Sequence, residues 1–305
     1  LSNQIILKRR VKAMKKNRIP FLTVTLIMIF ITTVYGQEKK QPPQYAQGPA
    51  PVTIHQISKS VYDIRGGAGA NSALIIGNNS ATIIDAKMTD QDVRDMLEAV
   101  KKITDKPIKR LILTHCDMDH VNGIPGIPEK TDIIAHVNSL KNMEKANEQA
   151  QVKIRLPNIT FTDQMTLSDD GAEIRLLYFG PAHTDGNIVI YIPDERIAII
   201  GDLFFKGMDP LIHKQKNGTS EGFVNVLQKI IELNADKYLS GHAEPATKAD
   251  IETLRNSIME KREKVGEMIK AGKTLDEVKQ AFNIPAGQSR WPSLVEIIYG
   301  EMKQP

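Results

Sequence analysis

The residues best suited to chemistry lie in one short stretch, Leu111-Ile112-Leu113-Thr114-His115-Cys116-Asp117-Met118-Asp119-His120. Within six positions it offers two imidazoles and two carboxylates: His115, Asp117, Asp119 and His120. These are the ligand types that zinc, iron and manganese take. Ile108 and residues 111–113 form an apolar run that reads as a buried strand. Asn122-Gly123 and Pro125-Gly126 come directly after the cluster as turn signals, so the four polar side chains sit on a loop leaving a strand end. If the backbone stays extended, positions 115, 117 and 119 point one way and His120 points across. Such a loop can feed two neighbouring ions. Any one of these residues alone reads as ordinary loop or helix-capping chemistry; the four together point to metal. Cys116 is the only cysteine, which excludes an internal disulfide. Its place between two candidate ligands turns its side chain away from them, as packing; a soft ligand or redox thiol is the other reading.

The stretch resembles the His-x-His-x-Asp-His metal motif of the metallo-β-lactamase superfamily, with Asp117 where the second His usually stands. The family pattern continues with a lone His, then an Asp or Cys, then a last His, each after a strand. Gly180-Pro181-Ala182-His183, Ile200-Gly201-Asp202 and Leu239-Ser240-Gly241-His242 arrive in that order. The resemblance covers residues 52–245 and uses four of the seven histidines. It implies that His115, Asp117 and His183 hold a first metal, that Asp119, His120 and His242 hold a second, and that Asp202 bridges them. Asp119 is also the residue the resemblance would make catalytic, orienting the reactants or accepting a proton. Asp85 ends an apolar run where the family has an Asp that supports the metal loop from behind. It fits a helix cap for the next segment equally well.

The resemblance implies a dinuclear metal-dependent hydrolase. A metal-bridging hydroxide would cleave an ester, thioester or lactone-type bond in a small-molecule substrate. The cofactors expected are two divalent metal ions, zinc first. A carboxylate at 117 is harder than an imidazole and moves preference towards iron or manganese. β-Lactam hydrolysis is the second reading: β-lactamases of the superfamily mostly place Cys or Ser where Asp202 stands, although export of the protein would favour it. A di-iron oxidoreductase or oxygenase is a third. The flavodiiron proteins carry Glu at the position of Asp117 but need a flavin domain, and nothing after residue 245 is patterned as one. A binding protein without turnover is opposed by the complete ligand set.

Several elements must position these groups. Residues 52–57, 61–65, 72–76 and 81–85 read as short strands separated by Gly66-Gly67 and Gly77-Asn78-Asn79, an antiparallel meander. Residues 90–103 have helical spacing of Val93, Met96, Leu97, Val100 and Ile103. Residues 133–135 read as a strand, with His136 structural, and 138–152 as a polar helix. Residues 165–167 and 172–179 read as strands about an Asp169-Asp170-Gly171 turn, the second delivering the chain to His183. Residues 188–192 and 197–200 form a further pair ending at Asp202. A helix over 221–233 and a strand at 238–239 lead to His242. Periodicity alone establishes only mixed α and β. The resemblance implies an α/β fold, a four-layer αββα sandwich over 52–248 with a C-terminal helical extension over 249–305. Helices are expected there at 250–270, 274–282 and 291–302, packed on the domain or forming a homodimer contact.

The net charge of +4 misrepresents the body of the chain. Residues 1–36 hold seven Lys or Arg and no acid, leaving 33 basic against 36 acidic residues elsewhere. A mildly acidic body gives no footprint for nucleic acid. Lys15, Lys16 and Arg18 precede an apolar run over 21–35 that ends at Gly36, the pattern of a secretory signal peptide. Met14 reads as the natural start, which makes 1–36 a signal peptide with upstream leader, and 37–51 a flexible linker. The run is shorter than the ~20 residues of a spanning helix. Cleavage after Gly36 would therefore leave no stable membrane insertion and a periplasmic or secreted protein; a retained anchor is the alternative.

Overall fold

The computed structural model describes residues 50–168, 170–285 and 290–303. The leader and nearly all of the linker lie outside the described residues, as do Asp169 of the expected turn and residues 286–289. The chain forms a seven-stranded sheet in sequential order: β1 (Thr53–Gln56), β2 (Val61–Arg65), β3 (Ser72–Ile76), β4 (Ala81–Ile84), β5 (Ile108–Ile112), β6 (Asp132–His136) and β7 (Ile159–Phe161). The first four pair antiparallel, as the turn-punctuated runs predict. From β4 onward the pairing is parallel, which requires crossovers. Helix α1 (Asp90–Lys101) provides the first, N-capped by the Thr89 side chain, which accepts from Asp92 N. A short helical turn, α2 (Met118–Val121), lies in the crossover between β5 and β6, and helix α3 (Val137–Gln149) provides the last.

A second sheet of five strands contains β8 (Gln164–Leu167), β9 (Ile174–Leu177), β10 (Val189–Ile192), β11 (Ile197–Gly201) and β12 (Lys237–Ser240), ordered β12-β11-β10-β9-β8. Only β11 and β12 are parallel, and α4 (Ser220–Glu232) crosses between them. The chain ends in α5 (Lys248–Lys270), α6 (Leu275–Ala281) and α7 (Leu294–Lys303).

Side-chain alternation along the strands builds the layers. Ile84, Ile112 and Ile134 point inward to meet Ile190, Ile199 and Leu239 of the second sheet. Their neighbours Ile83, Leu111 and Ile133 point outward onto Val93, Met96 and Val100 of α1. On the far side, Val189, Tyr191 and Ala198 pack against Phe223, Leu227 and Ile230 of α4, together with buried residues of α5, α6 and α7. Helix, sheet, sheet, helix is therefore the layer order. The three C-terminal helices belong to the outer layer rather than standing apart from it. Two details depart from sequence expectation. β7 is a three-residue strand too short for periodicity to reveal. Helix α7 starts at Leu294 because Ser293 caps it reciprocally with Glu296, which leaves Trp291 outside the helix. No helix among the described residues is long and apolar enough to cross a membrane.

Candidate metal centre

Parallel pairing brings strand ends together. Asp85 follows β4 and residues 113–117 follow the neighbouring β5. Asp202 follows β11 and His242 lies two residues beyond the neighbouring β12. Ile188 N donates to Thr114 O at 2.9 Å, joining the loop before β10 to the loop after β5. Asp85 adopts a left-handed backbone, φ +61°, and aims its carboxylate at the 113–117 loop. Thr114 N donates to Oδ1 at 2.8 Å, Thr114 Oγ1 to Oδ2 at 2.7 Å, and His120 Nδ1 to Oδ2 at 2.7 Å. This is the supporting role; the cap of α1 is Thr89. The extended backbone expected through position 119 is not what forms. Asp117 is the N-cap of α2, so Asp119 and His120 sit on a helical turn, and the rings of His115 and His120 come within 4.1 Å.

All seven sequence-predicted residues meet at this end of the two sheets. Their ligand-capable atoms converge in three overlapping groups: His115, Asp117 and His183; Asp119, His120 and His242; and His115, His120 and Asp202. Asp202 lies between the two triads. Its Oδ1 is 3.1 Å from His120 Nε2, and its Oδ2 is 3.3 Å from His242 Nε2 and 3.9 Å from both His115 Nε2 and His183 Nε2. Asp119 Oδ2 is 3.1 Å from His242 Nε2, and His183 Nε2 is 3.1 Å from Asp117 Oδ2.

The hydrogen bonds on the far ring nitrogens test whether this set fits a cation. His120 Nδ1 donates to Asp85, and His183 Nδ1 donates to Leu211 O at 2.7 Å. The Thr114 hydroxyl, already donating to Asp85, accepts from His115 Nδ1 at 3.0 Å. Each neutral ring thus keeps its proton on Nδ1 and turns the Nε2 lone pair into the site. His115 Nε2, His120 Nε2 and Asp202 Oδ1 are buried and have no hydrogen-bond partner. Buried polar atoms without partners are costly in a protein interior. Three of them converging beside carboxylates is what a bound cation satisfies.

Electrostatics agree. Burial opposes the charge on Asp202, yet the His120 and His242 imidazoles outweigh it and hold the carboxyl well below its ordinary range. Burial likewise opposes charge on Asp117, and His115, His183 and His213 overcome it to lower the pKa. His115 is driven the other way: burial and the neighbouring His120 depress its pKa. His242 resists burial through Asp202 and Asp119 and is raised to about 9. The second triad is the open one. Asp119 and His242 are 26% and 28% exposed, whereas His115 and His183 are sealed.

Two glycines permit the close approach. Gly201 has φ +52°, and a Cβ there would meet Thr114 Oγ1 at 2.6 Å. A Cβ on Gly241 would run into Asp202 Oδ1 and the His120 ring. Helix α3 pins the His183 loop: Asn138 Nδ2 donates to Asp185 O, Asn142 Nδ2 to Asp185 Oδ1, and Ser139 Oγ to Gly186 O. Cys116 packs in the outer core of the first sheet, and burial pushes its thiol up to about 11. His136 is structural, bonded to Thr162 O and stacked on Tyr178.

Sequence reasoning missed four neighbours. Phe205 stacks parallel on His242 with centroids 5.7 Å apart. Trp291, brought from the C-terminal helices, sets its ring edge-to-face with His213 at 4.9 Å. His213 Nε2 lies 2.8 Å from Asp117 Oδ2, and Lys216 Nζ donates to Asp117 Oδ1 at 2.5 Å. No motif spacing marks residues 213 or 216. The one signal is Asp117 itself, since a buried carboxylate in place of an imidazole requires a partner.

Comparison with known proteins bears on the same segment. A sequence model of the metallo-beta-lactamase superfamily matches residues 65–242, more than half of the chain. The alpha subunit of 2,4-dinitroanisole O-demethylase from Nocardioides sp. (strain JS1661) is 25% identical over 202 residues, covering 66% of this chain and 60% of that protein. A type 2 metallo-beta-lactamase from Bacteroides fragilis is 25% identical over 158 residues, covering 49% of this chain and 61% of that protein. The chain thus spans about three fifths of the length of these relatives. Among solved structures, the stereoselective inverting sec-alkylsulfatase Pisa1 from Pseudomonas sp. superposes with a TM-score of 0.65 at 18% identity, covering 81% of this chain and 47% of that one. At that identity the likeness is one of fold. With the family's segment matched over residues 65–242 and the His and Asp clusters gathered at the strand ends within it, the chain belongs to the metallo-β-lactamase superfamily.

Proposed function

We propose that the protein is a dinuclear hydrolase of a small-molecule ester, thioester or lactone. The observation that carries this reading is the placement of Asp202 between two triads of ligand atoms, with one oxygen towards His120 and the other towards His242, His115 and His183. His115, Asp117 and His183 would hold one ion, Asp119, His120 and His242 the other, and Asp202 would face both. Zinc suits the imidazoles; the three carboxylates also admit iron or manganese. When bound, two such ions supply a water acidified towards neutral pH and a Lewis acid for the electrophile. The chain's own residues do the rest. Asp85 fixes His120 and, through Thr114, His115. Leu211 O fixes His183. Asp119, the most exposed carboxylate of the set, is the group placed to take and return a proton where substrate enters. Phe205 flattens one wall beside His242 for an apolar part of the substrate.

The activities for which the relatives are named, on a β-lactam, an aryl ether and an alkyl sulfate ester, define the comparison arm of a test. Protein stripped by chelator and then reloaded with zinc, iron or manganese is assayed on carboxylic esters, thioesters, lactones, an alkyl sulfate ester, an aryl ether and a β-lactam. The reading requires hydrolysis of at least one ester, thioester or lactone, lost in chelator and restored by metal. Turnover of the β-lactam alone would replace it with the β-lactamase reading. The leader pattern at residues 1–36 supports export. Recovery from the periplasm or medium with a new N-terminus near Gln37 is the expected result, and full-length protein in the membrane fraction would contradict it.

A further inference from the structure

We propose that Lys216 is a positioning residue that makes Asp117 serviceable as a metal ligand, by cancelling the charge that a carboxylate adds where an imidazole usually stands. The inference rests on the dinuclear reading above. In the family's His-x-His-x-Asp-His motif an imidazole stands at the place of Asp117, so that, the bridging Asp202 apart, the first metal position would have neutral nitrogen ligands only. Here Asp117 brings a full negative charge into a largely buried pocket. Lys216 answers it directly, with Nζ donating to Oδ1 at 2.5 Å. The lysine approaches one oxygen of the carboxylate, while the other, Oδ2, faces His183 Nε2 at 3.1 Å and His115 Nε2 at 3.8 Å. The ammonium and an ion held by His115 and His183 would therefore meet different oxygens and not compete for one lone pair. Summed over His115, Asp117, His183 and Lys216, the formal charge is zero, the same as for three neutral imidazoles.

The backbone holds the lysine where it is needed. Lys216 closes a single 3-10 turn, with its N–H donating to His213 O and its carbonyl accepting from Asp185 N, each at 2.9 Å. That second bond ties the turn to the loop that carries His183. His213 completes the cradle. Gln215 Nε2 donates to His213 Nδ1 at 3.0 Å, so the proton of the neutral ring sits on Nε2, the nitrogen 2.8 Å from Asp117 Oδ2. A nitrogen that carries its proton is no ligand, and His213 stands outside all three converging groups. It presents the positive edge of the ring to the carboxylate, with the Trp291 ring in edge-to-face contact with it. Partners of this kind around a ligand typically change metal affinity about 10–100-fold when removed.

The test is metal affinity, read by competition with a chromophoric chelator and by the visible absorption of cobalt(II), on the full chain and on Lys216→Met, Asp117→His and Asp117→His/Lys216→Met. The wild type should bind two ions. Lys216→Met should weaken one of them about 10–100-fold and leave the other unchanged. Asp117→His alone should also weaken it, because a half-buried ammonium would then face a neutral ring and the ion. The double variant should recover the affinity. If Lys216→Met alone fails to fold, Asp117→His against the double variant still decides, since neither contains the carboxylate. Wild-type affinity in Lys216→Met, tighter binding in it, or a double variant no better than Asp117→His would each overturn the proposal. A wild type that takes up fewer than two ions would overturn the dinuclear reading itself, which separates the two failures.

Discussion

Asp85 holds three donors at once, Thr114 N, Thr114 Oγ1 and His120 Nδ1, and none of them belongs to the substrate side of the site. Replacing it with Ala frees both the 113–117 loop and the His120 ring, so metal affinity should fall about 10–100-fold. Chelator competition measures this, and unchanged affinity would mean that Asp85 is not a support. His242 gives the site a pH dependence. Its pKa is raised to about 9 from an ordinary 6.5, so in metal-free protein the ring is protonated at neutral pH and must lose that proton to bind an ion. Burial opposes charge on His120, of the same triad, yet Asp202 and Asp85 outweigh it and hold this ring likewise above its ordinary range. Affinity for the ion the two rings would hold should therefore fall as pH drops below about 9, with at least one proton released per ion bound. Calorimetry in buffers of different ionisation enthalpy reads the proton count. The linked effect on metal-free stability has the opposite sense: it is fully present below pH 6.5 and is lost as pH rises through about 9. At this scale the seven candidate ligands were legible because their types and spacing are local. Lys216 and His213 were not, because their meaning depends on a carboxylate 99 residues from Lys216. Cys116, whose thiol burial pushes up to about 11, shows the converse: proximity in sequence to His115 and Asp117 confers no part in the site.

At the scale of elements, the longer strands and helices were legible from alternation and 3.6-residue spacing, whereas the three-residue β7 and the parallel pairing from β4 onward were not. Nor was the metal loop. The extended run that would point Asp117 and Asp119 the same way stops at Asp117, because residues 118–121 form a four-residue helical turn, a length at which periodicity carries no signal. That turn is what sets the His120 ring beside His115. The close packing of loops has its own cost. Gly241 sits where any Cβ would displace Asp202 and His120, so Gly241→Ala should fold but lose affinity for both ions, since Asp202 faces both triads. Measured metal content close to that of the wild type would show that the β12 loop shifts without disturbing the site. Helix α7 makes a similar point about caps. Ser293 and Glu296 fix its start, and it is this start that lets Trp291 reach His213.

Over the whole molecule, the family's sequence segment ends at residue 242 while the packed structure does not. Helices α5, α6 and α7 contribute nine buried apolar side chains to the core over the second sheet, among them Ile251, Ile258, Val265 and Ile298. Their removal would uncover the apolar residues of α4 and the second sheet that they pack against, at about 1.5–3 kcal/mol per side chain, in a domain stable by only roughly 5–15 kcal/mol. A chain ending at 248 should fail to fold, as judged by circular dichroism and sedimentation; a soluble, metal-binding truncation would show the outer layer to be dispensable. The two sheets, their helical covers and the loops at one end all serve a single geometric outcome, two triads with a carboxylate between them. The most direct test of that outcome is the number of metal ions per chain in the reconstituted protein, measured beside Asp117→Ala and Asp202→Ala. Two ions in the wild type, falling towards one in Asp117→Ala and lower in Asp202→Ala, is the predicted result. Fewer than one ion of any kind after reconstitution would contradict it.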